Sequence, residues 1–182
     1  MNLLNLIKQR RSIRKYKNIP IKKEDILEII EAGIYAPSGS NTQCYRFIII
    51  DKEKDMKFLG KTKLKWIENA PCVILVYADL SVCSYLKTPR KEVFQYLPYQ
   101  DCAMAMQNMM LLAEAKGLNT CIIHLSEQWN TAKLIKEYFK LKTTDELMGL
   151  IVLGYKDENI DYNTTKHAGK YIKRQPIQYY IK

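Results

Sequence analysis

Residues 98–116 constrain the fold more than any other stretch. Ala103, Met104, Ala105, Met106, Met109, Met110, Leu111, Leu112 and Ala113 put apolar side chains on more than one face of a helix. Pro98 opens that helix at a first-turn position and Gly117 closes it. A helix with one apolar stripe needs one sheet to cover it, whereas this one must be covered from several sides. It is therefore either the central core helix of the chain or part of a subunit interface.

The flanking segments supply what it packs on. Residues 72–78 read CVILVYA, apolar throughout and rich in β-branched side chains, as a central strand requires. Further strands are predicted over 47–50, 119–125 and 147–155, the last ending at Gly154. Helices are predicted over 2–9, 52–59 and 131–139. Another opens with Glu24 and Asp25, which suit the positive end of its dipole. It carries Ile26, Leu27, Ile29, Ile30 and Ile34 at helical spacing and stops at Pro37-Ser38-Gly39-Ser40-Asn41. Residues 79–95 give no periodic signal and read as a long loop or short irregular helices over one face. Strands separated by helices at this spacing imply an α/β or α+β sandwich, one sheet between helical layers. At 182 residues the chain fits a single domain, 1–182. The polar, tyrosine-rich tail from Lys156 has little core of its own, and a partner subunit is its natural cover.

Composition excludes several classes. With 47% hydrophobic and 26% charged residues the chain is neither disordered nor membrane-spanning. The charge at residues 1–8 follows an apolar stretch, the reverse of a secretion signal, so cytoplasm is the expected location. Cys44, Cys72, Cys83, Cys102 and Cys121 are odd in number and far apart, which argues against a disulfide framework or a zinc site. A small buried hydrophobe is the expected role of Cys72 and Cys121, and a reactive thiol at Cys44 or Cys102 is the weaker reading. His124 and His167 are the only histidines, so no metal is expected. The net charge of +10 invites a polyanion-binding reading. Its lysines are spread along the whole chain, however, and only 8–17 forms a dense basic run.

No dinucleotide fingerprint, phosphate-binding P-loop or nucleophile elbow occurs among the seven glycines. An enzyme of this sequence would rely on a cofactor for its chemistry, with no catalytic side chain. One constellation remains. Arg10, Arg11 and Arg14 flank Ser12 at a helix-to-loop transition, suited to bidentate recognition of a phosphate monoester. Residues 37–43 add hydroxyl and amide groups able to read a polar ring edge or a polyol chain.

In that order the two segments resemble the nitroreductase family of FMN enzymes. The family opening R-R-S-[IV]-R-x-[FY] stands here as RRSIRKY, and A-P-S-x-x-N-x-Q as APSGSNTQ, residues 36–43. Ala70-Pro71 precedes the central strand as in the family. Asp101, Asn108, Leu111, Ala113, Gly117, Leu118, Thr120 and Cys121 match its long helix and following strand, and Val152-Leu153-Gly154 its last core strand. Two departures stand out. Cys44-Tyr45 replaces Pro-Trp, and Ile123-His124-Leu125-Ser126 replaces a glycine-rich turn.

The resemblance implies a three-layer α/β/α sandwich with a mixed, mainly antiparallel sheet, paired as a homodimer with the C-terminal tail on the partner. It implies FMN at the subunit interface and NADH or NADPH as a transient co-substrate. The final acceptor would be a small nitroaromatic, quinone or similar molecule, reduced by ping-pong hydride transfer. Carried over residue by residue, Arg10, Arg11 and Ser12 bind the phosphate and Arg14 lies by the pyrimidine edge. Pro37, Ser38, Ser40, Asn41 and Gln43 belong to the cofactor site, reaching the flavin of the other subunit. His124 and Leu125 bring their backbone to the flavin N5, while the His124 imidazole is expected merely to end a strand. Arg174 closes over the phosphate. The rival readings are an FMN carrier or redox sensor without turnover, and a basic polyanion-binding module. Neither a specific nucleic acid nor a membrane is an expected partner.

Overall fold

The computed structural model describes residues 2–62, 64–125 and 130–159, with 176 and 178. Four strands build one sheet: β1 (Tyr45–Ile50), β2 (Cys72–Asp79), β3 (Asn119–His124) and β4 (Asp145–Gly154), in the order β1-β2-β4-β3. All three pairings between these strands are antiparallel. The mixed character expected of the sheet is therefore confined, among the described residues, to one isolated parallel bridge between Ser12 and Thr120. A domain-swapped tail would fall in the residues beyond 159, most of which lie outside those described.

The sheet is buried on both faces, which explains why β2 and β4 read as unbroken apolar runs. Cys72, Ile74, Val76 and Ala78 of β2 face one core with α2 (Lys23–Ile34) and α5 (Leu97–Ala115). Val73 and Leu75 face a second core with α3 (Glu53–Lys61) and α6 (Asn130–Tyr138). Of the two roles open to the long helix, the chain itself satisfies the first. Cys102, Ala105, Met106, Met109, Met110 and Ala113 of α5 are buried between α2 and the sheet. Asn108 ties the helices together by donating from Nδ2 to the Ala32 carbonyl at 3.2 Å. Lys116 at the C-cap of α5 reaches Asp25 and Glu28 of α2 at 2.7 and 2.6 Å. Gly117 takes φ +76°, the left-handed turn that ends the helix.

A bulge sets the register of the far edge. Val76 pairs with Gly149 but Tyr77 with Leu147, so Met148 is the extra residue. The alternation of β4 changes parity there: Met148, Ile151 and Leu153 face the first core, Leu147, Leu150 and Val152 the second. Residues 79–95 contain two short 3₁₀ turns, Leu80–Val82 and Ser84–Lys87, and a single-turn helix α4 (Lys91–Phe94), close to the irregular segment expected. A 3₁₀ turn at Lys65–Asn69, which the sequence reading lacks, leads into β2. Helix α1 (Leu3–Gln9) is capped by the Asn2 side chain, which accepts from the Leu4 amide at 2.8 Å.

Candidate functional site

The basic segment leaves α1 at Arg10, its C-cap, and runs across the open edge of the sheet. Ser12 bridges Thr120 at the start of β3, and the Ile13 amide donates to the Thr120 carbonyl at 3.0 Å. Further on, the Lys17 amide donates to Tyr155 at 2.8 Å, and buried Tyr16 donates its hydroxyl to the Ile13 carbonyl. The segment is thus stitched to β3 and to the end of β4, and its alternate side chains are held at fixed positions. Ile13 goes into the second core, while Arg10, Arg11, Ser12 and Arg14 stay half-buried.

Arg14 opens into a cleft of about 530 Å³ whose lining also includes Lys15, Tyr16, Trp66, Glu68, Asn69 and Ala70. Its Nη1 is buried without a hydrogen-bond partner, as is Thr120 Oγ1. A buried guanidinium nitrogen left unpaired is costly, and an acceptor placed there would relieve it. Cys121 reports the same field. Burial pushes its thiol up, against the pull of the Arg14 charge, the Ser12 hydroxyl and the Arg10 charge. Of the basic run, Lys15 and Lys17 are engaged with Asp157 (3.7 Å) and Glu158 (3.1 Å).

The second segment follows α2. Pro37, Ser40, Asn41 and Gln43 are exposed and Ser38 half-buried. Ser40, Asn41 and Gln43 all hold positive φ, 52°, 52° and 48°. The loop closes on itself: the Gln43 amide donates to Ser38 Oγ at 2.9 Å, and Gln43 Nε2 to Asn41 Oδ1 at 2.8 Å. Asp101, from the second turn of α5, accepts from the Gly39 amide at 2.9 Å. Tyr45, standing where the family has Trp, is buried and donates its hydroxyl to the Ile34 and Ala36 carbonyls at 2.8 and 3.0 Å.

Within one chain the two segments are far apart. The loop is fastened to Asp101 near the start of α5, while Arg10 lies close enough to Glu114 near its end for its charge to favour that carboxylate. Thirteen helical residues put these points roughly 20 Å apart. The sheet agrees: Thr120 is level with Cys72 at one end of β2 through Leu153, and Tyr45 with Ala78 at the other. His124 ends β3 and is exposed, opposite Gly149. Leu125 is buried. Arg174 lies outside the described residues.

Trp66 and Asn69 carry no signal in the sequence. Thr120 and Ala70 stand in it only as motif positions, and Trp66 and Asn69 sit on a short turn without periodicity. All five cysteines are buried, and Cys44, in a cluster with Cys102, Cys83 and Asp101, is held as a thiol far above its ordinary range. Cys44 and Cys102 are both wholly buried, so neither presents a thiol at the surface of the chain. No group of residues suited to a metal ion occurs among the described residues, nor any helix long and apolar enough to cross a membrane.

The nitroreductase family model matches residues 7–63 and 57–155. A relative from Archaeoglobus fulgidus, provisionally named an NADH dehydrogenase/NAD(P)H nitroreductase, is 28% identical over 165 residues, 87% of this chain and 88% of its own. Among solved structures, an FMN complex of a nitroreductase assigned provisionally in Desulfovibrio desulfuricans superposes with TM-score 0.74 at 27% identity, covering 100% of this chain and 95% of that one. One from Exiguobacterium sibiricum, also with FMN, has TM-score 0.80 at 24% identity over 100% and 97% of the two chains and supports the fold.

Proposed function

Because the chain belongs to the nitroreductase family, we propose that it binds FMN at sites shared by two copies and reduces a small acceptor at the expense of NADH or NADPH. FMN bound there would supply a two-electron carrier, accepting hydride from the nicotinamide and releasing it to a nitroaromatic, quinone or similar molecule. The observation that carries the reading is Arg14, which lines the cleft and keeps a buried Nη1 without a partner, on the segment whose Ser12 bridges Thr120 at the edge of β3. A planar heterocycle with acceptor atoms along one edge fits that donor, and a terminal phosphate fits Arg10, Arg11 and Ser12.

The work left to the protein is binding and positioning. Arg14 would hold a cation against the edge of a bound flavin, where reduction places negative charge. The backbone at His124 and Leu125 continues along β3 and would meet a bound flavin there. The loop 37–43 contributes from the other copy, because in its own chain it stands roughly 20 Å from Arg10 along α5. We read 1–182 as one such FMN-binding domain, working in the cytoplasm, with Arg174 of the tail completing the phosphate site. The polyanion reading is weakened by Lys15 and Lys17, whose charges are already matched by Asp157 and Glu158.

The test is direct. Purified protein, reconstituted with flavin if colourless, is desalted and its released cofactor identified by mass spectrometry. FMN is expected, followed by flavin-dependent oxidation of NADH or NADPH. Recovery of FAD, or no retained flavin at all, would overturn the phosphate assignment. Retained FMN without NAD(P)H oxidation would make the protein a carrier or sensor.

A further inference from the structure

The loop at residues 37–43 is an unusual piece of backbone. Three non-glycine residues, Ser40, Asn41 and Gln43, occupy the left-handed region within four positions. Each such residue is strained unless its surroundings impose the conformation. The bonds inside the loop, Gln43 amide to Ser38 Oγ and Gln43 Nε2 to Asn41 Oδ1, cannot supply that alone, since both ends of each move with the loop.

Side chains from outside bear on it: Arg46 of β1 donates from Nη1 to the Gln43 carbonyl at 2.8 Å, and from α5 comes Asp101. Asp101 is 1% exposed, and its two oxygens are divided between the two ends of the loop. Oδ1 accepts from the Gly39 amide at 2.9 Å, and Oδ2 faces the Cys44 thiol at 3.8 Å. A buried carboxylate is expensive, and the apolar face of α5 would be better served by a hydrophobic residue unless the carboxylate had something to hold. Gly39 also approaches closely: a Cβ there would stand 3.0 Å from Leu97 Cδ1, so the loop backbone rests directly on the first turn of α5. The thiol belongs to this chain's own departure from the family pattern, where Pro in place of Cys44 has no proton to offer the carboxylate.

We propose that Asp101 is a positioning residue that clamps the left-handed loop at both ends, through the Gly39 amide and the Cys44 thiol, and so presents Ser38, Ser40 and Asn41 to FMN. The inference rests on the reading of that loop as part of the flavin site. The clamp itself is a property of the unliganded chain and is measurable without cofactor.

Two readouts separate the levels. Amide hydrogen exchange followed by mass spectrometry reports the clamp in apoprotein. In Asp101→Ala, exchange in peptides covering 38–44 should rise at least tenfold, while peptides from β2 and from the second half of α5 stay as in the parent. FMN affinity, read from quenching of flavin fluorescence, should fall at least tenfold in Asp101→Ala. It should return to within threefold in Asp101→Asn, whose amide oxygen still accepts from Gly39. Cys44→Ser, which keeps a donor for the second oxygen, should bind FMN more tightly than Cys44→Ala. Exchange over 38–44 unchanged in Asp101→Ala would overturn the clamp. Raised exchange with unchanged FMN affinity would overturn its role in presenting the loop. If the parent itself binds no FMN, the flavin reading fails and the exchange result still decides the clamp.

Discussion

Arg14 is the side chain whose surroundings ask most for a partner. Its guanidinium is half-buried with Nη1 unpaired, and its cleft holds Lys15 and Glu68 as the other charged side chains. Removing it together with Arg10 relieves a desolvation cost in the free protein while deleting the donors for an anion. The Arg10→Ala/Arg14→Ala protein should therefore fold with a melting temperature no lower than the parent, and bind FMN at least a hundredfold more weakly, each charge-assisted bond contributing about 1.5–3 kcal/mol. Full flavin occupancy in that variant would remove the site. Asp101 makes a pH prediction. Burial pushes its carboxyl up, against the opposing bonds from Gly39 and Cys44. The folded chain thus holds the proton more tightly than the unfolded chain, where the value is about 3.9. Above that value the unfolded state releases the proton first, so the contribution to stability falls as pH rises to the native value, and is flat beyond it. Urea denaturation of the parent and Asp101→Asn across pH 4–7 should show a difference growing in favour of the variant; a constant difference would place the group's titration elsewhere. Residues of this kind were unevenly legible in the sequence. Arg10, Arg11, Ser12 and Arg14 stand in a dense run whose chemistry is readable from composition. Trp66 and Asn69 join the same cleft from a five-residue 3₁₀ turn that has no period to betray it. The clamp on Gly39 joins residues 62 apart, which no local pattern encodes.

Elements were more legible than their edges. Each helix or strand with a clear apolar period sits within a residue or two of its expected place, because burial against a sheet rewards that period wherever it occurs. The small offsets that remain have tertiary causes. Strand β1 begins at Tyr45, two residues before the first predicted position, because Tyr45 and Arg46 pair with Ala78 and Tyr77. Strand β4 begins at Asp145, where pairing with Asp79 extends it beyond its apolar run. Its bulge at Met148 is invisible in an apolar run in which every residue is buried on one side or the other. Gly149 beside the bulge is the position that admits β3: a Cβ there would lie 2.5 Å from the Ile123 carbonyl oxygen. Gly149→Ala must push the end of β3 outward, and His124 with it. We expect a loss of about 1–3 kcal/mol, as for other overpacked sites, read as a lower urea midpoint with an unchanged slope. If the site is placed along β3, FMN affinity in this variant should fall as well. An unchanged midpoint would show that the end of β3 yields freely and does not fix the height of a bound ring.

At the scale of the whole molecule, one chain carries the two segments of the proposed site at opposite ends of α5. It also leaves apolar surface uncovered. Leu3, Leu4 and Ile7 of α1 are 65%, 56% and 44% exposed, on a seven-residue helix whose only buried side chain is Leu6. A helix this short has little stability of its own, and its cap by Asn2 offsets only part of the cost of ordering it. Covering the three side chains would contribute about 1.5–3 kcal/mol each if they became fully buried. A second copy, as proposed, would supply such cover and at the same stroke bring a loop 37–43 toward another chain's arginines. The prediction is that Leu3→Glu/Leu4→Glu, which changes side chains already exposed in the single chain, leaves the fold intact by circular dichroism. By light scattering the variant should be a monomer at concentrations where the parent is a dimer. Its FMN affinity should fall at least tenfold, and because α1 ends at Arg10, a direct effect on the phosphate contact has to be told apart from an effect through assembly. Mass action does this: a site completed by a second copy gains affinity as protein concentration rises, whereas a damaged contact within one chain does not. FMN affinity that recovers with concentration, in step with the dimer fraction, is the expected outcome. A monomer that binds FMN as tightly as the parent would show that one chain suffices, and that the loop 37–43 serves something other than the flavin.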